Sequence, residues 1–382
     1  MNRFLSIALA SLLALPAAAQ RAKIDINAET PEGQLLQQIG TADDAAKKLA
    51  LLEEFAAKFP KHEGIPWVYG QLQPAYLKAQ QYDKVFPVVE KLLQVDPSDA
   101  EMAHGGLKAA EAKKDPDLIM KWAVATSDAA RLAVASKKPA DEEEAEAWKS
   151  KVDFARQVET YAEYSLFNTA LQTADPAKKI QLIDKLAERN PKSQYLPQLD
   201  EQKFIAYRQL NNNDKALEQA EMLLAKNPGN EDMLLFAADQ YLNVKKDNAK
   251  ALQYANQVVE LMKTKAAPNG ISAEDWEKKK RTVLGLGLWM SGMIDSSQSK
   301  FSSADKTLRE ALPYLEGNEQ LLGPALFHLG LANYRIGSGK TTDTQRILDA
   351  LKYNQQCANI KGPFQAQAQK NITAIRTQYR IK

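Results

Sequence analysis

The stretch QYDKVFPVVEKLLQVDP, from Gln81 to Pro97, combines an apolar stripe with a proline at its end. Its regularly spaced apolar residues are Phe86, Val89, Leu92 and Leu93. Steps of three, three and one residue place these side chains on one side of an α-helix. A proline ring cannot continue the hydrogen-bond ladder of a helix, so the helix ends near Pro97. The stretch therefore predicts an amphipathic helix with one buried side.

Three other stretches of the chain repeat this pattern. They are DAAKKLALLEEFAAKFP (Asp44–Pro60), DPAKKIQLIDKLAERNP (Asp175–Pro191) and NNDKALEQAEMLLAKNP (Asn212–Pro228). The residues in the same four columns are Leu49, Leu52, Phe55 and Ala56, then Ile180, Ile183, Leu186 and Ala187, then Leu217, Ala220, Leu223 and Leu224. The prolines at 60 and 97, like those at 191 and 228, lie 37 residues apart. A period of this length indicates repeated supersecondary units.

A second helix precedes the stripe in the clearest units. AYLKAQQYDK (Ala75–Lys84) and AYRQLNNNDK (Ala206–Lys215) share Ala-Tyr and, seven residues after the tyrosine, Asp-Lys. Tyr241, which precedes Asn248 by seven residues, repeats the arrangement with small variation. Each unit is therefore expected to be a helical hairpin, and the fixed period indicates that the hairpins stack.

These units resemble the tetratricopeptide repeat family, whose unit is a helical pair with a terminal proline. The resemblance extends over about 42–357. The residues that carry it are Leu329, Gly330 and Ala332 in FHLGLANYRIG, then Ala75, Tyr76, Tyr82 and Pro97, then Tyr207, Ala216 and Pro228. The resemblance implies an all-α fold, a right-handed superhelical solenoid of antiparallel hairpins. It also implies a protein or peptide ligand.

The first twenty residues, MNRFLSIALASLLALPAAAQ, have the pattern of a secretory signal peptide. Arg3 precedes an apolar run from Phe4 to Leu15, and small residues follow at 17–19. Cleavage is expected near Ala19 or Gln20. The apolar run is too short to span a bilayer, and no cysteine lies near the cleavage point to carry a lipid anchor. We therefore expect a periplasmic or secreted protein without membrane insertion after cleavage.

The period breaks at an acidic insertion, KKPADEEEAEAW (137–148), after which one long helix is expected from about Ala140 to Thr173. Tyr161, Tyr164 and Phe167 have the spacing of a buried stripe in that helix. The expected organisation is a signal peptide at 1–20, an extended lead-in at 21–40, an N-terminal repeat block at 41–136 that begins with a Thr41 cap, an insertion and long connecting helix at 137–174, a C-terminal repeat block at 175–357 and a capping helix at 358–382.

Composition limits the classes of partner. The 382 residues include 50 Lys and Arg against 48 Asp and Glu, and the formal net charge is +2 with the signs interspersed. Such a balance creates no strong field for nucleic acid. The single cysteine, Cys357, rules out an internal disulfide bond.

The letters GKTT at 339–342 match the end of a phosphate-binding loop. The first glycine of such a loop is replaced by Tyr334, and the preceding residues have helical rather than strand periodicity. We expect a turn between two helices here, in which Gly337 and Gly339 end one helix at positive φ. Thr341 or Thr342 would then cap the next helix.

No catalytic or metal-binding constellation is evident. His62-Glu63 begins like a zinc-protease motif, but Pro66 stands where the second histidine belongs. Cys357 has no histidine near it in sequence. We expect no enzyme activity, no cofactor and no metal ion.

The expected binding surface is the concave side of the solenoid, which the first helices of the hairpins line. The candidate residues lie beside the repeated tyrosines and are Trp67, Leu77, Lys78, Arg208, Gln209, Asp239, Asn243, Phe327, Leu331 and Arg335. Mixed aromatic and cationic side chains favour a peptide or helix segment with acidic groups. The alternatives are a structural component of an envelope assembly, a self-associating scaffold, and an enzyme whose site is built across helices.

Overall fold

The computed structural model describes residues 27 and 29–381, and these residues form α-helices and short connections without a β-strand. The predicted signal peptide lies outside them. In chain order the helices are α1 (Pro31–Thr41), α2 (Ala45–Lys58), α3 (Ile65–Lys78), α4 (Tyr82–Val95), α5 (Ala100–Lys113), α6 (Pro116–Ala135), α7 (Glu142–Gln172), α8 (Pro176–Arg189), α9 (Leu196–Gln209), α10 (Asn213–Lys226), α11 (Glu231–Gln240) with a π-helical turn (Tyr241–Lys245), α12 (Asn248–Thr264), α13 (Ala273–Ser297), α14 (Phe301–Leu315), α15 (Glu319–Gly337), α16 (Thr344–Ala358) and α17 (Gln365–Tyr379). The prediction of an all-α chain is confirmed.

Consecutive helices pack as antiparallel pairs. In the pair α3–α4, the Lys84 ammonium lies 5.3 Å from the ring centre of Tyr76, and Lys91 lies 5.0 Å from that of Tyr69. Later residues of α4 thus meet earlier residues of α3, as an antiparallel hairpin requires. The first helices of successive hairpins also contact one another, α3 with α5 and α5 with α7, then α11 with α13 and α13 with α15. Within each unit these first helices lie side by side.

The chain divides into two compact units within α9, between Ala206 and Tyr207. The sequence predicts a C-terminal repeat block that begins at 175. Its period breaks there, but α7 continues to pack on α5, α6 and α8 within the N-terminal unit.

The repeated prolines end their helices in the same way. Helices α2, α4, α8 and α10 each stop two residues before the proline. The residue in between leaves the helical conformation because a following proline disfavours it. In α4 this residue is Asp96, with φ −128° and ψ 91°, and its side chain accepts a hydrogen bond from the Ser98 N–H at 2.9 Å.

The two central apolar columns are buried in all four repeats. Their members are Leu52 and Phe55, Val89 and Leu92, Ile183 and Leu186, and Ala220 and Leu223, none more than 9% exposed. The predicted stripe is therefore the packing surface of each second helix.

The lead-in is a correction to the sequence prediction. Residues 31–41 form α1 rather than an extended segment, because Thr30 accepts a hydrogen bond from the Gly33 N–H at 3.1 Å and Pro31 opens the helix. Leu36 and Ile39 are buried in the core of the N-terminal unit. Thr41 ends α1 and does not cap α2, whose cap is Asp44.

The turn after α15 confirms one expectation and corrects two. It joins α15 to α16, as predicted, but the cap of α16 is Asp343, which accepts from the Arg346 N–H at 3.1 Å, rather than Thr341 or Thr342. Neither Gly337 nor Gly339 has a positive φ. A Cβ on Gly337 would lie 2.8 Å from Cβ of Arg346, so this glycine allows close packing of α15 on α16.

Two further predictions concern long and terminal helices. The connecting helix is α7, with 31 residues, and it begins at the Asp141 cap. At the other end, Ile375 of α17 is buried against Ile347 and Leu351 of α16, so α17 covers the last hairpin as expected. None of the described helices has the length and apolarity needed to cross a membrane.

Candidate binding site

A pocket of about 830 Å³ lies inside the N-terminal unit, where α5 and α7 end and α6 and α8 begin. Asp115 caps α6 with a contact of 2.9 Å to the Asp117 N–H, and Asp175 caps α8 with one of 2.8 Å to the Ala177 N–H. The caps hold the two helix starts in place. Side chains that line the pocket include Glu111, Lys114, Tyr161, Tyr164, Asn168 and Lys178.

A tyrosine–carboxylate pair forms one wall of the pocket. The Tyr161 hydroxyl donates to Oε2 of Glu111 at 2.8 Å, and the Ser165 hydroxyl donates to Oε1 at 2.6 Å. Tyr161 and Ser165 are one helical turn apart on α7, so both reach the same carboxylate. Burial raises the pKa of Tyr161, and the hydrogen bond to Glu111 raises it further. The phenol therefore remains a donor.

The Glu111 carboxylate has no Lys or Arg partner within 4 Å among residues 29–381. Lys178 is engaged elsewhere, by a hydrogen bond and ion pair with Asp117 and by one of 2.7 Å to Gln181. Lys114 is exposed at the end of α5, where its φ is 55°, and it has no carboxylate partner in the described chain. The wall thus carries a negative charge that only hydroxyl groups contact.

His104 lies behind this wall. Its ring centre is 5.1 Å from that of Tyr161, at an interplanar angle of 72°, and its buried Nε2 has no hydrogen-bond partner. Burial lowers the pKa of His104 to about 4, and the charge of Lys108 lowers it in the same direction. The ring is therefore neutral near pH 7, and it supports Tyr161 without adding charge.

Tyr164 is the accessible aromatic side chain of the pocket. It is 43% exposed, whereas the spacing in sequence had predicted a buried stripe with Tyr161 and Phe167. Its ring centre lies 6.4 Å from that of Tyr161 and 6.0 Å from that of Tyr195. The rings of Tyr161 and Tyr164 therefore line the pocket together with Glu111, and the ring of Tyr195 packs against Tyr164 outside the pocket lining.

None of the ten residues predicted from sequence lines this pocket. In the N-terminal unit, Trp67 and Leu77 pack partly buried against the core, and Lys78 is exposed.

The other seven predicted residues lie in the C-terminal unit. The exposed ones are Arg208, Gln209, Asn243 and Arg335, and the partly buried ones are Asp239, Phe327 and Leu331.

Two contacts group some of these residues. Asn243 donates to Asp239 at 2.7 Å, and Phe327 stacks on Phe364 at 4.6 Å. Phe327 is thereby covered in part by the segment before α17. The binding role of all ten residues stays a prediction.

Two candidate nucleophiles, Cys357 and Ser296, are buried. Cys357 is 1% exposed, burial raises its pKa, and its thiol lies 3.4 Å from the Gly323 carbonyl oxygen. His328 contacts the Ser296 hydroxyl at 2.8 Å, but Ser296 is only 4% exposed. No group of three or more His, Cys, Asp and Glu residues in the described part of the chain is arranged to hold a metal ion.

No protein-family model and no curated protein sequence matches the chain. Among solved structures, it is similar to yeast Tom70 at 12% identity and a TM-score of 0.32, over 92% of this chain and 96% of that one. It is similar to the TPR domain of P58(IPK) at 11% identity and a TM-score of 0.27, over 92% of this chain and 100% of that one. It is also similar to a tetratricopeptide repeat protein from Parabacteroides merdae ATCC 43184 at 13% identity and a TM-score of 0.26, over 79% of this chain and 98% of that one. No residue role follows from TM-scores this low.

Proposed function

We propose that this chain is an exported, non-catalytic scaffold of helical hairpins that binds a protein or peptide partner. The observation that carries the proposal is the pocket between α5 and α8, with its exposed Tyr164 and its carboxylate without a cation. A volume of about 830 Å³ lies within the range of ligand pockets. Tyrosine is enriched among the residues that dominate binding energy at protein interfaces.

The chemistry of the pocket favours binding over catalysis. The only histidine beside it, His104, is neutral and behind Tyr161, and the tyrosine has a raised pKa. Neither group is matched to proton transfer near pH 7. The amide side chains of Asn168 and Gln172 are joined by one hydrogen bond of 3.1 Å, which leaves an Asn168 N–H group and the Gln172 carbonyl oxygen for a peptide backbone.

Photo-crosslinking in the native host tests the proposal. A benzophenone side chain replaces Tyr164, and in a control it replaces Leu348, which has a nearly equal exposure of 41% on α16 of the C-terminal unit. We expect a discrete protein adduct at position 164 that the control does not form. Equal labelling at both positions, or no adduct at 164, would contradict a partner-binding role for the pocket.

Export is the second part of the proposal, and it rests on the signal-peptide pattern of residues 1–20. N-terminal sequencing of the protein from fractionated cells checks it. We expect a mature chain in the envelope or medium that begins next to Ala19 or Gln20. A cytoplasmic chain that keeps its first residues would rule export out.

A further inference from the structure

Tyrosine–glutamate pairs recur in the structure, and two of them are completed by a lysine. In the first, Tyr76 donates to Glu53 at 2.9 Å. The Lys84 ammonium lies 2.7 Å from the same carboxylate oxygen and 5.3 Å from the centre of the Tyr76 ring. Lys84 thus gains both an ion pair and a contact with an aromatic face.

The second complete group lies in the C-terminal unit. Tyr241 donates to Glu221 at 2.7 Å, and Lys250 donates to the Tyr241 hydroxyl at 2.8 Å. The Lys250 ammonium is 4.5 Å from the ring centre and 3.8 Å from Glu221. The same three chemical groups therefore assemble twice, each time across three consecutive helical elements.

The Tyr161–Glu111 pair has the tyrosine and the carboxylate but no lysine among the described residues. The space beside it is the pocket, and Tyr164 adds a second ring at its open side. We propose that a lysine side chain of the partner peptide enters this pocket and completes the group by contacting Glu111 and the rings of Tyr161 and Tyr164. This inference rests on the proposed function and adds the chemistry of the ligand.

The charges that face the pocket agree with a cationic ligand. Glu111, Asp117 and Asp175 are acidic, and Lys114 and Lys178 are basic. Lys178 is paired with Asp117, so the other charged groups of the pocket are the carboxylates of Glu111 and Asp175 and the ammonium of Lys114. Lys114 is close enough in sequence to compete for Glu111, so its removal should help rather than weaken the binding of a basic peptide.

Peptide pools test the inference on the full chain. Fluorescent dodecapeptides, random except for a fixed central residue, are applied to the immobilised protein in three pools, with central Lys, Nε-acetyllysine or Glu. We expect the Lys pool to be retained about tenfold more than the acetyllysine pool, because acetylation removes the charge that the carboxylate and rings attract. Preferential retention of the Glu pool, or equal retention of the Lys and acetyllysine pools, would overturn the inference.

Two matched variants locate the effect. Glu111→Gln should lower retention of the Lys pool to the acetyllysine level, whereas Glu53→Gln, in the pair already filled by Lys84, should leave it unchanged. In Lys114→Ala, retention of the Lys pool should equal or exceed that of the wild-type chain. Unchanged retention in Glu111→Gln would overturn the inference.

Folding is checked by circular dichroism. If Glu111→Gln does not fold, Tyr164→Ala replaces it as the test of the inference. The Tyr164 side chain is 43% exposed, so its removal should have little effect on the core. We expect a loss of about threefold to tenfold in retention of the Lys pool, and no loss would overturn the inference. An adduct at position 164 with no lysine preference in the pools would defeat this inference alone. Absence of both the adduct and any retained pool would defeat the proposed function as well.

Discussion

The two compact units differ in the partners of two carboxylates, the buried Asp305 and the partly buried Glu111. In the C-terminal unit, Asp305 accepts hydrogen bonds from Arg309 at 2.7 Å, from Asn333 at 2.6 Å and from Arg346. These contacts join α14, α15 and α16. In the N-terminal unit, Glu111 faces a pocket and is contacted only by hydroxyl groups.

Glu231, at the start of α11, is another buried carboxylate with cation partners in the same unit. Burial would raise its pKa, but hydrogen bonds from Lys265 and Lys279 outweigh burial and lower the pKa to about 2. This buried carboxylate, with two ammonium partners, links the start of α11 to Lys265 just after α12 and to Lys279 of α13. Asp305 and Glu231 are thus paired with cations of their own unit, whereas Glu111 in the N-terminal unit has no cation partner among residues 29–381.

The largest expected effect comes from removing the centre of the C-terminal network. Asp305→Ala leaves Arg309 and Arg346 without their shared carboxylate, and we expect a loss of about 3 kcal/mol in the free energy of unfolding. Glu111→Ala in the open pocket should cost less than about 1 kcal/mol, because water can solvate the groups that remain. Urea unfolding followed by circular dichroism measures both. Equal losses would remove the contrast between the units.

The next effect is a pH dependence of the N-terminal unit. Because the folded state lowers the pKa of His104 to about 4, the unfolded state binds more protons between that pH and about 6.5. Stability should therefore fall, by about 2 kcal/mol, as the pH drops from 7 to 4.5. His104→Phe keeps a ring against Tyr161 and should abolish this part of the dependence. Hydrogen exchange in α5 and α7 at the two pH values measures it, and an unchanged dependence in the variant would refute the assignment to His104.

A smaller effect concerns helix packing in the C-terminal unit. A Cβ on Gly292 would lie 2.6 Å from Cγ of Leu308, so Gly292→Ala must displace α14 from α13. We expect a loss of about 1 to 2 kcal/mol despite the higher helix propensity of alanine. Gly40→Ala, with no atom within 4 Å of its Cβ, is the control and should be neutral or stabilising. Thermal melts of the two variants check this, and equal midpoints would mean that α13 and α14 are not closely packed there.

The sequence predicted the helices well because their causes are local. The residue before each repeated proline leaves the helix, and apolar columns such as Leu92 and Leu186 are buried, at 4% and 0% exposure. The wrong cap predictions, Thr41 for α2 and Thr341 or Thr342 for α16, have a local cause too. Several polar residues able to cap a helix precede both α2 and α16, and the pattern alone does not distinguish among them. In the structure the caps are Asp44 and Asp343.

The pocket could not be predicted in the same way. Tyr161 and Glu111 are 50 residues apart, and the insertion at 137–148 breaks the period that would have aligned them. The available signal was the tyrosine pair in YAEYSLF, of which Tyr164 is exposed rather than buried. The ten residues chosen from the intact repeats followed the period, and none of them lines this pocket, which lies where the period fails.

A double-mutant cycle tests most directly whether Glu111 receives a lysine. The tightest single peptide of the Lys pool and its Nε-acetyllysine form are each titrated against the wild-type chain and Glu111→Gln. We predict that the two changes are coupled by about 1 kcal/mol or more, because either one removes the same interaction. A coupling below about 0.3 kcal/mol, with both changes acting independently, would show that the lysine and Glu111 do not meet.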